Sequence, residues 1–321
     1  MDFTTLGNTG LRVSVAGLGS GGFSRIGQGT GRSEAESVSL IQRALDLGVN
    51  FIDTAAVYGT ETIVGKALAG RARDEFVIST KGSVAKGDDL VPADVLVNSL
   101  DQSLTELGVD CIDVYHLHGV APKAYLHAVD NLVPALLREK EKGKFRFLGI
   151  TEVPPLDARH ESLTKAVQAA WPDVVMIAYH MMHQSARQLL PLAEQQGIGV
   201  LIMFAVRVLF SETGRLKRVV DQLVREGQLP AALQDGAEPL GFLLHEAGAR
   251  NIIDAAYRYC RHTDGTDVIL FGTGNPDHLE ANIKSLLAQP LPAEDVRKLK
   301  SLFGTLVDVG LDAPGTVKPV S

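Results

Sequence analysis

Short apolar runs recur along this chain, and each is followed by a stretch with helical periodicity. An alternating segment with a Gly-Asn-Thr-Gly centre at residues 7–10 comes first, and this pattern predicts a β-hairpin. Eight apolar runs then predict strands, at residues 15–19, 50–54, 76–80, 112–118, 145–151, 173–179, 199–204 and 267–272. Between them, Ser33 and Glu36 form a capping box that predicts the start of a helix, and Gly48, Gly108 and Gly197 mark predicted helix ends.

Strands that alternate with helices indicate parallel β-α units. Eight such units in a chain of this size predict a closed (β/α)8 TIM barrel, with the N-terminal β-hairpin capping the barrel bottom. We expect residues 1–321 to form a single domain of this kind. A doubly wound sheet is the alternative, but the glycine-rich segment at 17–22 is not followed by helical sequence, as a dinucleotide-binding turn requires.

Composition narrows the class of partner. The net charge is −7 with both signs interspersed, and no basic stripe suggests nucleic-acid binding. No apolar run approaches the ~18 residues of a membrane span, and the first residues lack the pattern of a signal peptide. We therefore expect a cytoplasmic protein that binds a small molecule, with no nucleic-acid or membrane partner. Its two cysteines, Cys111 and Cys260, lie in apolar sequence and are predicted to be reduced core thiols.

Polar residues of unusual type stand where successive strands end. Asp53 ends the second predicted strand and Tyr58 follows it, Lys81 ends the third, and His118 ends the fourth. Aspartate, lysine and histidine are rarely buried without partners. Because the carboxyl ends of barrel strands meet at one face, we expect these four side chains to share a pocket.

This combination suggests proton transfer. A tyrosine with an ordinary pKa of about 10 is a weak acid or base near neutral pH. A nearby ammonium favours its phenolate, and a carboxylate keeps that ammonium charged and oriented. Asp53 and Lys81 are therefore predicted to tune Tyr58 as a general acid and base, while His118 donates a hydrogen bond to a bound carbonyl.

Several segments resemble those of the aldo-keto reductases, in that family's order. They are GLRVSVAGLGSGGF, ALDLGVNFIDTAAVYGTETIVGKAL, STKG, DVYHLH, GKFRFLGIT, AAYRYC and GTGNPDHLEANI. The resemblance implies a (β/α)8 barrel, a nicotinamide cofactor and reversible hydride transfer to a carbonyl. Asp53, Tyr58, Lys81 and His118 match the family's catalytic tetrad, with His116 the weaker match for the last position.

The family's cofactor residues are matched less closely. Its usual Ser-Asn pair is Thr151-Glu152 here, its usual Gln is Met176, and Asn275 and His278 stand where Lys and Arg are frequent. The resemblance assigns cofactor binding to Gly21, Asp53, Thr151, Glu152, Met176, Phe204, Arg207, Gly272, Thr273, Gly274, Asn275, His278 and Asn282. Phe204 is expected to stack on the nicotinamide and Arg207 to reach the pyrophosphate. Without the two usual cations, we expect NAD or NADP to be bound, with NAD tolerated or even preferred and with discrimination for NADP weaker than the family norm.

Other functions remain open at this stage. His116 and His118 fall on one strand face, which suits a metal-dependent hydrolase with His180 and His183 as further ligands. A Schiff-base aldolase using Lys81 is another alternative.

A non-catalytic, cofactor-binding regulatory subunit is a third alternative function.

The remaining histidines, His127, His160, His245 and His262, are predicted to lie at the surface. The substrate pocket is expected from loops 23–32, 119–132 and 205–236 and the tail 307–321, but these segments name neither a substrate nor an oligomeric state.

Overall fold

The barrel predicted from the strand pattern is confirmed. The computed structural model describes residues 1–233 and 238–312 and contains a closed barrel of eight parallel strands. Each predicted run forms a strand with bounds close to those expected. The strands are β1 Phe3–Thr5, β2 Arg12–Ser14, β3 Ala16–Gly19, β4 Phe51–Asp53, β5 Val77–Ser83, β6 Ala85–Lys86, β7 Asp89–Leu90, β8 Ile112–His118, β9 Phe145–Thr151, β10 Val174–Ala178, β11 Gly199–Met203 and β12 Val268–Phe271.

The barrel closes between its first and last strands. Its strand order is β3-β4-β5-β8-β9-β10-β11-β12, and β12 pairs in parallel with β3 to complete the ring. In that pairing Ile269 lies opposite Ala16 and Phe271 lies opposite Leu18. A closed sheet has no free edge, so every barrel strand is paired on both sides.

The N-terminal hairpin covers one end of the barrel, as predicted. Strands β1 and β2 pair antiparallel, with Phe3 opposite Ser14. Leu6, Leu11 and Val13 of this hairpin form one apolar cluster with residues at or near the starts of the barrel strands, including Phe51 and Val114. The carboxyl ends of the strands are thereby left as the face on which loops can build a site.

Helices surround the barrel and bury its outer face. The capping box is present at the first of them, where the Ser33 side chain accepts a hydrogen bond from the Glu36 backbone and Glu36 accepts one from the Ser33 N–H. Buried side chains of strands and helices form one large apolar cluster. The helices are α1 Glu34–Asp46, α2 Glu61–Leu68, α3 Ala93–Leu107, α4 Tyr125–His127, α5 Val133–Glu141, α6 Glu161–Gln168, α7 Leu190–Gln195, α8 Val208–Ser211, α9 Arg215–Arg225, α10 Ile252–Arg261, α11 Pro276–Leu286 and α12 Ala293–Phe303.

Cys260 is buried and Cys111 only partly so, beside the charges of Arg73 and Asp113, so the prediction of a core thiol is wrong for Cys111; both cysteines are free. Within the described ranges, no helix is long and apolar enough to cross a membrane. Part of two segments predicted to shape the substrate pocket, residues 234–236 and 313–321, lies outside the described residues.

Candidate active site

Asp53 and Lys81 form a buried ion pair where β4 and β5 lie side by side. Asp53 is the last residue of β4 and 4% exposed, whereas Lys81 is 1% exposed. The Lys81 Nζ donates to Asp53 Oδ1 at 2.7 Å, to Oδ2 at 2.6 Å and to the Thr54 carbonyl at 2.7 Å. Burial disfavours the ammonium, but Asp53 and Tyr58 together outweigh that effect and raise the pKa of Lys81 above its usual value.

Tyr58 reaches this pair from the turn that follows β4. One helical turn, Ala56–Tyr58, ends at Gly59, whose φ of 64° redirects the chain into α2. The Lys81 Nζ lies 5.2 Å from the centroid of the Tyr58 ring. Burial raises the pKa of the Tyr58 phenol, and the Lys81 charge opposes this without reversing it. The lowered phenol pKa expected from Lys81 is thus overridden by desolvation, and the phenol keeps its proton at neutral pH.

His118 completes the group from the end of β8. Its ring meets the Tyr58 ring edge-on, with centroids 5.6 Å apart and planes at 87°. Desolvation and the nearby Lys81 charge lower the pKa of His118 to about 3, so its imidazole is neutral at physiological pH. His116 lies deeper on the same strand, fully buried and bonded to Ser79. The structure therefore brings Asp53, Tyr58, Lys81 and His118 together.

A cleft of about 680 Å³ extends from Asp53 and Tyr58 to α10 and α11. It runs past the ends of β3, β11 and β12, and Gly21 lies at its tetrad end, where a Cβ atom would come within 2.5 Å of the Tyr58 ring. The predicted cofactor residues that line the cleft are Gly21, Asp53, Met176, Phe204, Arg207, Gly272, Thr273, His278 and Asn282. An elongated molecule with one end at Tyr58 would fit this shape.

Arg207 is the unusual member of the cleft wall. It is 8% exposed, and its guanidinium lies 3.8 Å from the centroid of the Phe204 ring and 5.3 Å from that of Phe23. Burial lowers the pKa of Arg207 to about 10, which leaves it charged near pH 7. Its Nε and Nη2 have no hydrogen-bond partner among the described residues. Buried donors of this kind are costly unless an acceptor meets them, so the site fits an anionic ligand group.

The remaining predicted cofactor residues have other partners. The Thr151 hydroxyl accepts from the Gly119 backbone at 2.8 Å, and Asn275 caps α11 by accepting from the Asp277 N–H. Gly274 is buried against Gly27, where a Cβ atom would come within 2.4 Å of the neighbouring backbone. None of these three residues is part of the cleft wall.

Glu152 also lies outside the cleft wall and belongs to a separate buried network. Its carboxylate binds His160 Nδ1 at 2.7 Å and accepts from the Ala178 N–H at 2.7 Å. His160 is 2% exposed, which corrects the expectation that it lies at the surface. The His160 ring lies 5.3 Å from that of His183, and the Ser185 hydroxyl contacts both imidazoles. The expected cofactor role of the Glu152 side chain gains no support from this arrangement.

The cleft also has wall residues that the sequence did not identify individually, although Phe23 belongs to the loop 23–32 expected to shape the substrate pocket. Phe23 and Tyr257 line it, and Arg250 and Asn251 reach it from the segment that leads into α10. Arg250 is anchored by Asp254, and its Nη2 lies 3.3 Å from the Ser285 hydroxyl. The available signal was the Asn251 N-cap, which marks a helix start of the type that faces anionic ligands. Arg250 places a cation at the α11 end of the cleft, whose wall also includes His278.

The alternative of a metal-dependent hydrolase can be compared with this geometry. Across residues 1–233 and 238–312, no group of three or more His, Cys, Asp or Glu side chains is arranged to hold a metal ion. His116 binds Ser79, and His183 binds Ser185. Among the described residues, His116 and His183 thus each have a serine hydroxyl as a hydrogen-bonding partner.

Comparison with known proteins agrees with the fold. The chain is 33% identical to L-galactose dehydrogenase of Arabidopsis thaliana over 210 residues, which are 63% of this chain and 64% of that enzyme. It is 24% identical over 305 residues to an uncharacterized oxidoreductase of Bacillus subtilis, covering 92% of this chain and 94% of that protein. The holo form of an aldo-keto reductase from Bacillus halodurans superposes with a TM-score of 0.72 at 23% identity, over 96% and 98% of the two chains. The Aldo/keto reductase family model matches residues 17–303, and the protein therefore belongs to this family of oxidoreductases.

Proposed function

We propose that this protein transfers hydride reversibly between a nicotinamide dinucleotide and the carbonyl or alcohol carbon of a small molecule. The observation that carries the proposal is the meeting of Tyr58, His118 and the buried Asp53–Lys81 pair at one end of an elongated cleft. Arg207, with buried donors free to meet an anion, lies along the same cleft. These features together fit a long anionic cofactor whose reactive end would lie beside a proton donor.

The four residues have distinct roles in this proposal. Tyr58 keeps its proton because burial raises its pKa, so in the reducing direction it can protonate the carbonyl oxygen. Lys81, fixed by Asp53, stabilises the phenolate that remains. Neutral His118 donates a hydrogen bond to the same oxygen and orients it. A bound nicotinamide would supply or accept the hydride.

We assign the cofactor contacts to residues that line the cleft. Arg207 would donate to the pyrophosphate, and Phe204, close to it, offers an aromatic face for the nicotinamide. Thr273 and Asn282 contribute polar groups farther along. At the α11 end neither Asn275 nor His278 is a permanent cation, which supports acceptance of NAD. Arg250 lies at that end but shares its charge with Asp254, so it provides only a partly compensated site for a 2′-phosphate.

The substrate class is proposed more broadly. The chemistry of the site suits an aldehyde, a ketone, the corresponding alcohol or a sugar hydroxyl. The relative from Arabidopsis thaliana is described as acting on L-galactose, so sugars belong in the first substrate panel. A non-catalytic regulatory subunit remains the second candidate, since it would bind the same cofactor in the same cleft.

The experiment is a turnover screen of the purified protein with either nicotinamide and a panel of aldehydes, ketones, alcohols and sugars. Tyr58→Phe retains the ring and removes the proton, so it should bind cofactor normally and lose at least ~10²-fold in turnover. Tyr125→Phe is the matched control, because its phenol lies outside the cleft and contacts Trp171. Cofactor binding without turnover of any substrate would favour the regulatory subunit. Undiminished turnover in Tyr58→Phe would refute the assignment of the proton donor.

A further inference from the structure

A chain of hydrogen bonds continues from the ion pair into the barrel interior. His116 lies two residues before His118 on β8, so both side chains point inward from the same face of the strand. The His116 Nε2 is 3.1 Å from the Ser79 hydroxyl, and that hydroxyl donates to Asp53 Oδ1 at 2.8 Å. Asp53 therefore has a second, uncharged partner besides Lys81.

The available protons determine which group donates in each of these hydrogen bonds. Asp53 is paired with Lys81 through both oxygens and is an acceptor only, so the single Ser79 proton must point to it. The Ser79 oxygen can then only accept from His116, which must carry its proton on Nε2. Burial and the Lys81 charge lower the pKa of His116 well below its usual value, so the ring is neutral and Nδ1 is bare.

We propose that His116 and Ser79 are positioning residues that orient the Asp53–Lys81 pair and, through it, tune Tyr58. The inference rests on the proposed function, in which Tyr58 is the proton donor, and it adds two residues to that machinery. A neutral histidine suits this role because it donates a hydrogen bond without adding a second positive charge beside Lys81.

The neighbouring strand is shaped to accommodate this histidine. Gly149 of β9 lies opposite His116, and a Cβ atom at Gly149 would come within 2.1 Å of the His116 Nδ1. That nitrogen has no hydrogen-bond partner in the part of the chain that the structure describes. Burying such a group is unfavourable, so an apolar side chain would pack here at lower cost. The bond to Ser79 gives a reason for histidine at this position.

Loss of the His116 side chain should raise the pKa of Tyr58. Without His116 the Ser79 hydroxyl is free to turn away, and Asp53 compensates by neutralising Lys81 more completely. The Tyr58 phenolate is then stabilised less, because less positive charge remains near it, and the pKa of Tyr58 rises. The charged and titratable groups that face this chain are Lys81, Asp53, Tyr58 and His118, with the buried Glu61 acting on Lys81 from α2. Gly149 brings none from β9.

The test compares His116→Leu, which removes the donor, with His116→Gln, which retains an N–H near the Nε2 position. His116→Leu should lower kcat about three- to ten-fold, with unchanged KM for the cofactor, and move the alkaline limb of the kcat profile upward by about half a pH unit. His116→Gln should restore both. A folded His116→Leu variant with wild-type kcat and pH profile would overturn the proposal.

A second readout needs no turnover. Ionisation of the Tyr58 phenol is followed by ultraviolet difference spectroscopy against Tyr58→Phe, and it should occur at higher pH in His116→Leu. If His116→Leu does not fold, Ser79→Ala removes the hydroxyl that links His116 to Asp53, and it should shift the Tyr58 titration equally. An unshifted Tyr58 titration in Ser79→Ala would overturn the proposal. Failure of the proposed function is distinct, because it appears as undiminished turnover in Tyr58→Phe whatever His116 does.

Discussion

Removing the Lys81 ammonium should destabilise the protein as well as stop its chemistry. In Lys81→Met, Asp53 would remain 4% exposed and keep only the Ser79 hydroxyl of its side-chain donors. The Thr54 carbonyl would also lose its bond from Lys81. Loss of one partner of a buried ion pair costs about 3–5 kcal/mol, because the other charge is left without compensation. That is a large part of the ~5–15 kcal/mol by which a typical native protein is stable.

The pH dependence and a double variant sharpen this prediction. An unpaired buried Asp53 has a raised pKa in the folded state, so the folded form binds more protons than the unfolded form. The loss of stability in Lys81→Met should therefore grow as the pH rises above the pKa that Asp53 has in the unfolded chain. Asp53→Leu combined with Lys81→Met replaces the pair by apolar side chains of similar size. The double variant should recover at least ~2 kcal/mol relative to Lys81→Met while remaining inactive.

The assay is urea unfolding at pH 5 and pH 7, with free energies extrapolated to water. Lys66→Met is the matched control, because Lys66 pairs with Glu34 at the surface, with both side chains about half exposed. We expect that control to lose less than ~1 kcal/mol. A loss below ~1 kcal/mol in Lys81→Met, or a double variant less stable than the single one, would show that Asp53 is not desolvated as described.

Three further predictions follow from the same structure. Gly21→Ala should lower turnover with little loss of stability, because the added Cβ would lie 2.5 Å from the Tyr58 ring and push the phenol aside; kcat and urea midpoints measured together check this. His278→Arg should raise the affinity for NADP relative to NAD in cofactor titrations at fixed salt, whereas a native NADP preference above ~100-fold, about 2.7 kcal/mol, would contradict our account of this turn. Burial lowers the pKa of His180 and His183, the latter to about 3, so below pH ~6.5 only the unfolded chain takes up their protons. As the pH is lowered below ~6.5, the free energy of unfolding should decrease by up to ~1.4 kcal/mol per pH unit for each of these two histidines. His183→Gln should reduce this pH dependence.

The sequence was most informative where barrel geometry dictates position. Parallel strands place their carboxyl ends on one face, so Asp53, Lys81 and His118 could be grouped from strand ends alone. Strict alternation along β8 also places His116 and His118 on the same side of the strand. The prediction that β5 ends at Lys81 was two residues short, since the strand continues to Ser83. That difference did not change the direction of the side chain.

The remaining contacts depend on packing that no local pattern reveals. Glu152 meets His160 because the loop between them turns back, with His160 at a φ of 57° that few non-glycine residues adopt. Arg250 enters the cleft because α10 and α11 pack side by side, which joins segments about 30 residues apart. The pKa of Tyr58 depended on how completely its ring is buried, and residue type alone could not decide between burial and the Lys81 charge.

The pairing of β3 with β12 also constrains how the chain can reach this structure. Ala16 and Ile269 are partners across the closure of the barrel, so the ring cannot be completed until the last strand has been synthesised at the ribosome. Until then β3 presents an open edge to the cell, and such edges invite pairing with other chains. Assembly of the site from β4, β5 and β8 can precede closure, whereas the cleft wall from Gly272 to Asn282 can form only after these later residues have been synthesised. A nascent chain of this protein is therefore most vulnerable to aggregation during the interval before residue 271 emerges.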